Sequence, residues 1–274
     1  MESLPSPNFP YSVELWPEGR KPFASEADGE LPRLTVYLPS EEHRTGQLVL
    51  ILPGGGYGMV STPKEGHRPA QFLNAHGIAA GVLEYRHDPQ RHPVPLADAQ
   101  RGMRMLRSVA ARAGMSRTTA GVLGFSAGGH LAGCLATQPE VEEARVDDEV
   151  DGVPYKPDFA ALIYPVVSLT AAFSHFGSRD NLLGGPGQAE MADRLSLEKA
   201  VGPATPPMFL AHAQNDEVVP VANALALAEA LTRHGVEADL HVFAKGGHGF
   251  GMAANHGWGA LLLAWLKYIS LGKS

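Results

Sequence analysis

Apolar residues in this chain fall into short runs separated by glycine, proline and polar clusters. The run at 34–38 alternates apolar and polar positions and is read as a half-exposed edge strand. Those at 48–52, 78–85, 120–125, 159–164 and 207–212 are almost continuously apolar, the pattern of strands buried on both faces, and 238–243 supplies a last strand. Between them lie stretches with helical spacing. These are 69–75, about 95–114, the small-residue stretch 129–136, 221–234 and 258–271, the last with Gly272 as its stop. Strand and helix alternate along most of the chain, which predicts an α/β fold: a mostly parallel central sheet with helices on both faces.

Three stretches lack this rhythm. Residues 1–33 are polar and proline-rich and are read as an arm over the surface. Residues 140–149 are acidic and are read as a solvated face. Residues 166–205 form the longest stretch without a strand; rich in Gly, Ser and Pro, they are expected to overhang a cleft as a small cap. Length and pattern together predict one domain over 1–274.

Composition narrows the function. A net charge of −7 with no basic run argues against nucleic acid or an anionic membrane as partner, and favours a small neutral substrate. The one cysteine, Cys134, lies in an apolar helical stretch and is read as a buried thiol. The N-terminal residues show no leader pattern and no run is long enough to span a membrane. The expectation is therefore a cytoplasmic protein as the chain stands, or an exported one had a signal peptide been removed. Histidines and carboxylates show no His-Glu-x-x-His or paired-cysteine spacing, so neither a metal nor an organic cofactor is expected.

The chemistry centres on Gly124-Phe125-Ser126-Ala127-Gly128, a Gly-x-Ser-x-Gly sequence with a buried strand before it and a small-residue helix after it. This is the context of a nucleophile elbow, in which Ser126 stands on a tight turn. Such a serine needs a base, and a group to orient the base, on loops after later strands. Asp216 follows the strand ending at His212, with its neighbour Glu217 as the weaker alternative. His248 stands between glycines after the strand ending at Phe243. His130, next to the elbow, is read as packing or bonding locally, and His212 as buried in its strand. Backbone donors for a developing oxyanion are expected from the Gly54-Gly55-Gly56 run after the second strand and from the N–H of Ala127. A phosphate-binding loop is the rival for that glycine run, but no lysine or Gly-x-Gly-x-x-Gly pattern accompanies it.

Taken together, Pro53-Gly54-Gly55-Gly56-Tyr57, Glu84-Tyr85-Arg86, the run from Gly124 to Ala132, Asp216-Glu217-Val218-Val219-Pro220 and Gly247-His248-Gly249-Phe250 resemble the α/β-hydrolase superfamily. Within it the chain is similar to bacterial acetyl xylan esterases and related carbohydrate-ester hydrolases, over residues 34–271. Pro53 stands where hormone-sensitive-lipase-like esterases begin their oxyanion motif with histidine, which places the chain apart from that subgroup. The resemblance implies an α/β-hydrolase fold, oxyanion N–H groups on Gly55 and Gly56, and a cofactor-free serine esterase acting on short acyl esters, chiefly acetyl groups on carbohydrates. Residues 177–184 also resemble a stretch of the sugar esterases, where Arg179 and Asn181 would contact substrate or build the cap. Two alternatives remain: an amidase or peptidase-type hydrolase such as an aryl formamidase, and a non-catalytic binding module that keeps the fold.

Overall fold

A computed structural model describes residues 10–115, 118–185, 187–252 and 256–271. Residues 1–9 of the expected arm and the Gly272 helix stop lie outside the described residues. Among the described residues the strands are β1 (Tyr11–Glu14), β2 (Arg33–Tyr37), β3 (Gln47–Leu52), β4 (Ala79–Glu84), β5 (Thr119–Phe125), β6 (Phe159–Ile163), β7 (Met208–Ala213) and β8 (Ala238–Phe243). The helices are α1 (Arg68–Ala75), α2 (Val94–Arg112), α3 (Ala127–Thr137), α4 (Phe176–Leu183), α5 (Ala189–Leu195), α6 (Leu197–Ala200), α7 (Ala222–Arg233) and α8 (Trp258–Leu271).

The strands join in one sheet in the order β1-β2-β4-β3-β5-β6-β7-β8. The pairs β1/β2 and β2/β4 are antiparallel, and every other pair is parallel. The continuously apolar runs form the centre of this sheet because side chains on both of its faces are covered. On one face Leu106 of α2, Leu135 of α3 and Leu231 of α7 pack with Leu48, Leu50 and Val122. On the other, Leu73 of α1 and Trp258, Trp265 and Leu266 of α8 pack with Ile51, Phe125 and Phe209.

Three expectations change. The strand at 33–37 is not an edge. Residues 11–14 form β1 and cover it, with Tyr11 and Val13 turned towards the core and Ser12 and Glu14 exposed. Four residues of alternation inside a proline-rich stretch are too short a signal to separate from loop. The chain beyond β1 is anchored as well: Leu15 and Trp16 are buried, and Trp16 Nε1 donates to Asp98 Oδ1 at 2.9 Å.

The acidic stretch is also not merely solvated. Glu140 accepts from Arg104 Nη2 at 2.6 Å, and Asp148 accepts from Arg101 Nη1 at 2.8 Å. Arg101 Nη1 also reaches Asp151 at 3.2 Å, so these carboxylates clamp the segment onto α2. Their partners lie 36 to 50 residues away in sequence, out of reach of any local pattern.

Two buried polar centres tie the layers together. Asp98 of α2 takes the Arg86 guanidinium as a fork, at 2.9 Å from Nε and 2.7 Å from Nη2, and also accepts from the Arg86 N–H at 3.0 Å. His130 of α3 is fully buried, accepts from Tyr57 O–H at Nδ1 (2.8 Å) and donates from Nε2 to the Leu195 carbonyl (2.9 Å). Those partners lie 73 and 65 residues away, so the expectation of a local role for His130 is corrected. It bonds α3 to the loop after β3 and to α5. Cys134, one turn on, is buried, and burial pushes its thiol up to about 12.

Both centres predict stability. Asp98→Ala leaves the Arg86 charge buried without its fork and removes the Trp16 acceptor, so urea unfolding should show a loss of about 3–5 kcal/mol. Burial pulls the His130 imidazole down to about 4, with the Leu195 carbonyl opposing. Burial, with Arg194, pulls His92 to about 4 as well. The unfolded chain therefore takes up protons between about pH 6.5 and 4 that the folded chain refuses, so the stabilisation is complete above pH 6.5 and is lost as pH falls towards 4. Each histidine contributes on the order of 3 kcal/mol to this loss. Unfolding midpoints at pH 7 and 4.5 should differ accordingly. His130→Gln keeps a neutral donor and acceptor, and should show a shallower dependence; parallel curves would refute the assignment.

Candidate active site

The loops after β3, β5, β7 and β8 all leave the carboxyl edge of the sheet, the edge at which open α/β sheets place their ligands. At the centre β5 gives way to α3 with Ser126 at φ 53° and ψ −120°, a conformation that L-residues avoid. Packing enforces it. A Cβ at Gly124 would come 2.2 Å from the Gly128 carbonyl oxygen, and one at Gly128 would come 2.1 Å from that of Leu52, so only glycines let α3 start this close to β5 and β3. The Ser126 N–H donates to Ile163 O at 3.0 Å, and its carbonyl accepts from Val166 N at 3.1 Å.

Ser126, Asp216 and His248, singled out in the sequence, meet here. Ser126 Oγ lies 2.9 Å from His248 Nε2, and His248 Nδ1 lies 2.8 Å from Asp216 Oδ2. With Nδ1–H donating to the carboxylate, Nε2 is left as the acceptor that faces the serine hydroxyl. The neighbouring Glu217 is exposed, and it is Asp216 that His248 is bonded to. Asp216 is buried, and its Oδ1 accepts from the N–H groups of Val218 (3.0 Å) and Val219 (2.9 Å). Burial alone would raise this carboxyl, but bonds from His212, His248 and Val219 outweigh it and hold the group far below the usual carboxylate range. His212, fully buried in β7, places Nε2 2.8 Å from the Val219 carbonyl and 3.3 Å from Asp216 Oδ2. Asn215 Oδ1 accepts from Gly247 N at 3.0 Å and ties the aspartate loop to the histidine loop.

The glycine run lies directly against the serine: a Cβ at Gly54 would stand 2.9 Å from Ser126 Cβ. The Gly54 N–H is already used by Glu65 Oε2 at 2.8 Å. Among the described residues the N–H groups of Gly55, Gly56 and Ala127 meet no protein acceptor. Their directions are nonetheless set, because a planar peptide turns its N–H opposite its carbonyl. Gly54 O accepts from Ser61 N at 2.9 Å, which fixes the Gly55 N–H. Gly55 O accepts from Gly58 N (3.0 Å) and Met59 N (3.2 Å), which fixes the Gly56 N–H. Gly55 and Gly56 have φ of 135° and 66°, backbone that glycine alone adopts easily. These are three backbone donors of set direction, on the glycine loop that lies against Ser126 and on the residue that follows it.

Sequence reasoning missed the supports of this loop. Tyr85 O–H donates to Pro53 O at 2.7 Å, and Asn181 Nδ2 donates to Gly56 O at 2.9 Å. Tyr85 lay in a stretch noted for its resemblance, but nothing in the sequence links it to Pro53. The segment 166–205 carries α4, α5 and α6, and Asn181 fastens α4 to the glycine loop. Arg179 does something different: it pairs with Asp180 at 2.8 Å and stacks 4.7 Å over the half-exposed Phe176 ring. His175, at the start of α4, accepts from Ser178 N at 3.2 Å. Its imidazole is lowered by burial and by the nearby His248.

Among the described residues no group of His, Cys, Asp and Glu is arranged to hold a metal ion, and no helix is long and apolar enough to cross a membrane. The arrangement as it stands suits nucleophilic attack by Ser126 on a carbonyl carbon, with His248 taking the proton and the free N–H groups receiving the oxygen charge.

Known proteins share this architecture. An acetylxylan esterase of Xylanibacter ruminicola is 32% identical over 246 residues, 88% of this chain and 46% of that protein. An endo-1,4-beta-xylanase B of Butyrivibrio fibrisolvens is 31% identical over 94% of this chain and 41% of that protein, so the chain spans about half the length of the curated relatives it matches. Among solved structures, an acetyl ester-xyloside bifunctional hydrolase from Caldicellulosiruptor lactoaceticus superposes with a TM-score of 0.88 at 37% identity, covering 95% of this chain and 96% of that one. The carboxylesterase Cest-2923 of Lactobacillus plantarum superposes at 0.69 with 26% identity, covering 87% and 93%. The BD-FAE family model matches residues 34–231, which run from β2 through α7 and include the glycine loop, the serine elbow and Asp216. With an α/β-hydrolase sheet and most of its length inside that match, the chain belongs to the BD-FAE family.

Proposed function

We propose that the chain is a serine esterase that hydrolyses short acyl esters, chiefly acetyl groups on carbohydrates, through an acyl-enzyme. The observation that carries this reading is the unbroken Ser126–His248–Asp216 relay, at 2.9 and 2.8 Å, beside three oriented and unused backbone N–H groups.

In the first half-reaction Ser126 Oγ attacks the ester carbonyl carbon while its proton passes to His248 Nε2. The carbonyl oxygen, now an anion, is received by the N–H groups of Gly55, Gly56 and Ala127. The imidazolium is stabilised by Asp216, whose low proton affinity keeps it a carboxylate throughout. The tetrahedral intermediate collapses, His248 gives its proton to the departing sugar oxygen, and the acyl group stays on Ser126. Water then repeats the sequence, with His248 as base, and releases the carboxylic acid.

The acetyl and sugar preference rests on other observations. Helix α4 meets the glycine loop through the polar side chains of Asn181 and Ser178, and the same helix carries the exposed Phe176 with Arg179 stacked on it. An aromatic face beside hydrogen-bonding groups suits a sugar ring better than a long acyl chain. The names of the acetylxylan esterase and of the acetyl ester-xyloside hydrolase point the same way.

Ser126→Ala should lower turnover of p-nitrophenyl acetate by a factor on the order of 10⁴–10⁶ while the protein still unfolds cooperatively. Mass spectrometry after fluorophosphonate treatment should find the adduct on Ser126. Across acetylated xylo-oligosaccharides, acetylated glucose, p-nitrophenyl esters from acetyl to decanoyl and an N-formyl aryl amide, kcat/KM should be highest for the acetyl compounds. A preference for octanoyl or longer esters, or for the formamide, would overturn the assignment.

A further inference from the structure

Glu65 is 5% exposed and stands in a π-helical turn, Thr62–His67, that runs into α1. Among the described residues no cationic group lies within ion-pair distance of it, so its burial is not offset by a salt bridge. It is offset by two donors that meet the carboxylate from opposite sides. Gly54 N–H reaches Oε2 at 2.8 Å, and Tyr164 O–H reaches Oε1 at 2.8 Å.

Each donor belongs to a different part of the site. Gly54 opens the glycine run, and the bond to Glu65 takes up the N–H next in line to those of Gly55 and Gly56. Tyr164 follows β6 with φ 40°, held there by its own N–H bonded to Ala211 O at 2.7 Å. Its hydroxyl accepts from Gly251 N at 3.1 Å, and its ring packs edge-on against His248 at 5.1 Å and Phe250 at 4.5 Å. One side chain therefore joins the loop of oxyanion donors to the loop that carries the imidazole.

We infer that Glu65 is a positioning residue for the reaction: its carboxylate brackets the Gly54–Gly56 loop and, through Tyr164 and Gly251, the His248 loop, and so fixes the distance between oxyanion donors and base. This rests on the esterase reading of the same site. The acceptor-only chemistry of a carboxylate is what the bracket requires. Both facing groups are donors, and an amide of the same shape would turn an NH₂ towards one of them. A π-turn, rare in helices and common beside functional sites, is what aims residue 65 inwards ahead of α1.

Displacement of an oxyanion donor or a reacting group by about 1 Å costs roughly 10²-fold. Glu65→Gln should therefore lower kcat for p-nitrophenyl acetate by about 10- to 100-fold, with KM within about threefold of wild type. The inhibition constant of an aryl trifluoromethyl ketone, whose adduct with Ser126 places an oxyanion where the intermediate's would be, should weaken by the same factor as kcat/KM. A residue that only supports the fold would lower the melting temperature without this parallel. Glu65→Asp, read the same way, serves if Glu65→Gln does not fold. Tyr164→Phe combined with Glu65→Gln should lower kcat no more than about threefold beyond Glu65→Gln alone, because the two act through one bracket. Additive losses, an unchanged kcat in Glu65→Gln, or an unchanged ketone affinity would each overturn the inference. The rate of fluorophosphonate labelling at Ser126 separates the two readings. Absence of labelling in wild type overturns the esterase reading and this inference together. Wild-type labelling at a rate that Glu65→Gln leaves unchanged overturns this inference alone.

Discussion

The backbone of Ser126 is held where a serine costs about 1–3 kcal/mol to place, and much of the molecule serves to hold it there. The strain persists because the position is over-determined. Gly124 and Gly128 let α3 press onto the ends of β5 and β3 at the limit of contact, and the bonds to Ile163 and Val166 fix the turn from the β6 side. One turn further on, His130 bolts the same helix to Tyr57 and Leu195. Relaxing Ser126 would mean moving α3 away from two strands and breaking a buried hydrogen-bond chain, which costs more than the strain itself.

That chain explains why so many neutral polar groups sit in the core around the site. Tyr57 and Tyr85 are buried, and burial raises both phenols far above their ordinary range. Each is therefore kept as a donor, Tyr57 to His130 and Tyr85 to the Pro53 carbonyl. His130 is driven the other way and stays a neutral imidazole with one donor and one acceptor, the pattern its two partners require. Asp216 is the opposite case: it is buried yet ionised, because histidines and backbone N–H groups surround it. Near the serine two carboxylates are buried, and donors meet both: histidines and backbone N–H groups for Asp216, Gly54 N–H and Tyr164 O–H for Glu65.

How much of this was legible in the sequence follows from the range of the interaction involved. The buried strands announced themselves because a strand covered on both faces has little choice but to be apolar throughout. Ser126, Asp216 and His248 were legible because each directly follows a predicted strand, and parallel strands deliver their following loops to one edge; the structure brings those three side chains into one line. The edge position given to residues 34–38 failed because β1 is only four residues long. The ion pairs of Asp148, the reach of His130 and the bracket at Glu65 depend on which distant segments meet. Nothing in the local alternation of polar and apolar residues near 65 distinguishes an inward carboxylate from a solvated one. Asn181 was noticed, but its partner is a backbone carbonyl 125 residues away, and a carbonyl leaves no mark on a sequence.

The glycine loop shows what such long-range contacts accomplish. Three consecutive glycines are the most freely moving segment a chain can have, and donors that must be reoriented when charge appears contribute little to a reaction. Here five successive carbonyls are engaged: Pro53 by Tyr85, Gly54 by Ser61, Gly55 by Gly58 and Met59, Gly56 by Asn181, and Tyr57 by Asp88 N at 2.8 Å. With each peptide plane pinned by its oxygen, the N–H groups of Gly55 and Gly56 have fixed directions without being bonded themselves. Glycine is then needed for the positive φ angles and the close approach to the serine, while the freedom it brings is removed by Tyr85 just after β4, Ser61 just ahead of the π-turn and Asn181 of α4. The loop is held through its acceptors, which leaves the Gly55 and Gly56 donors unused although glycine is the residue that by itself would leave them free to turn.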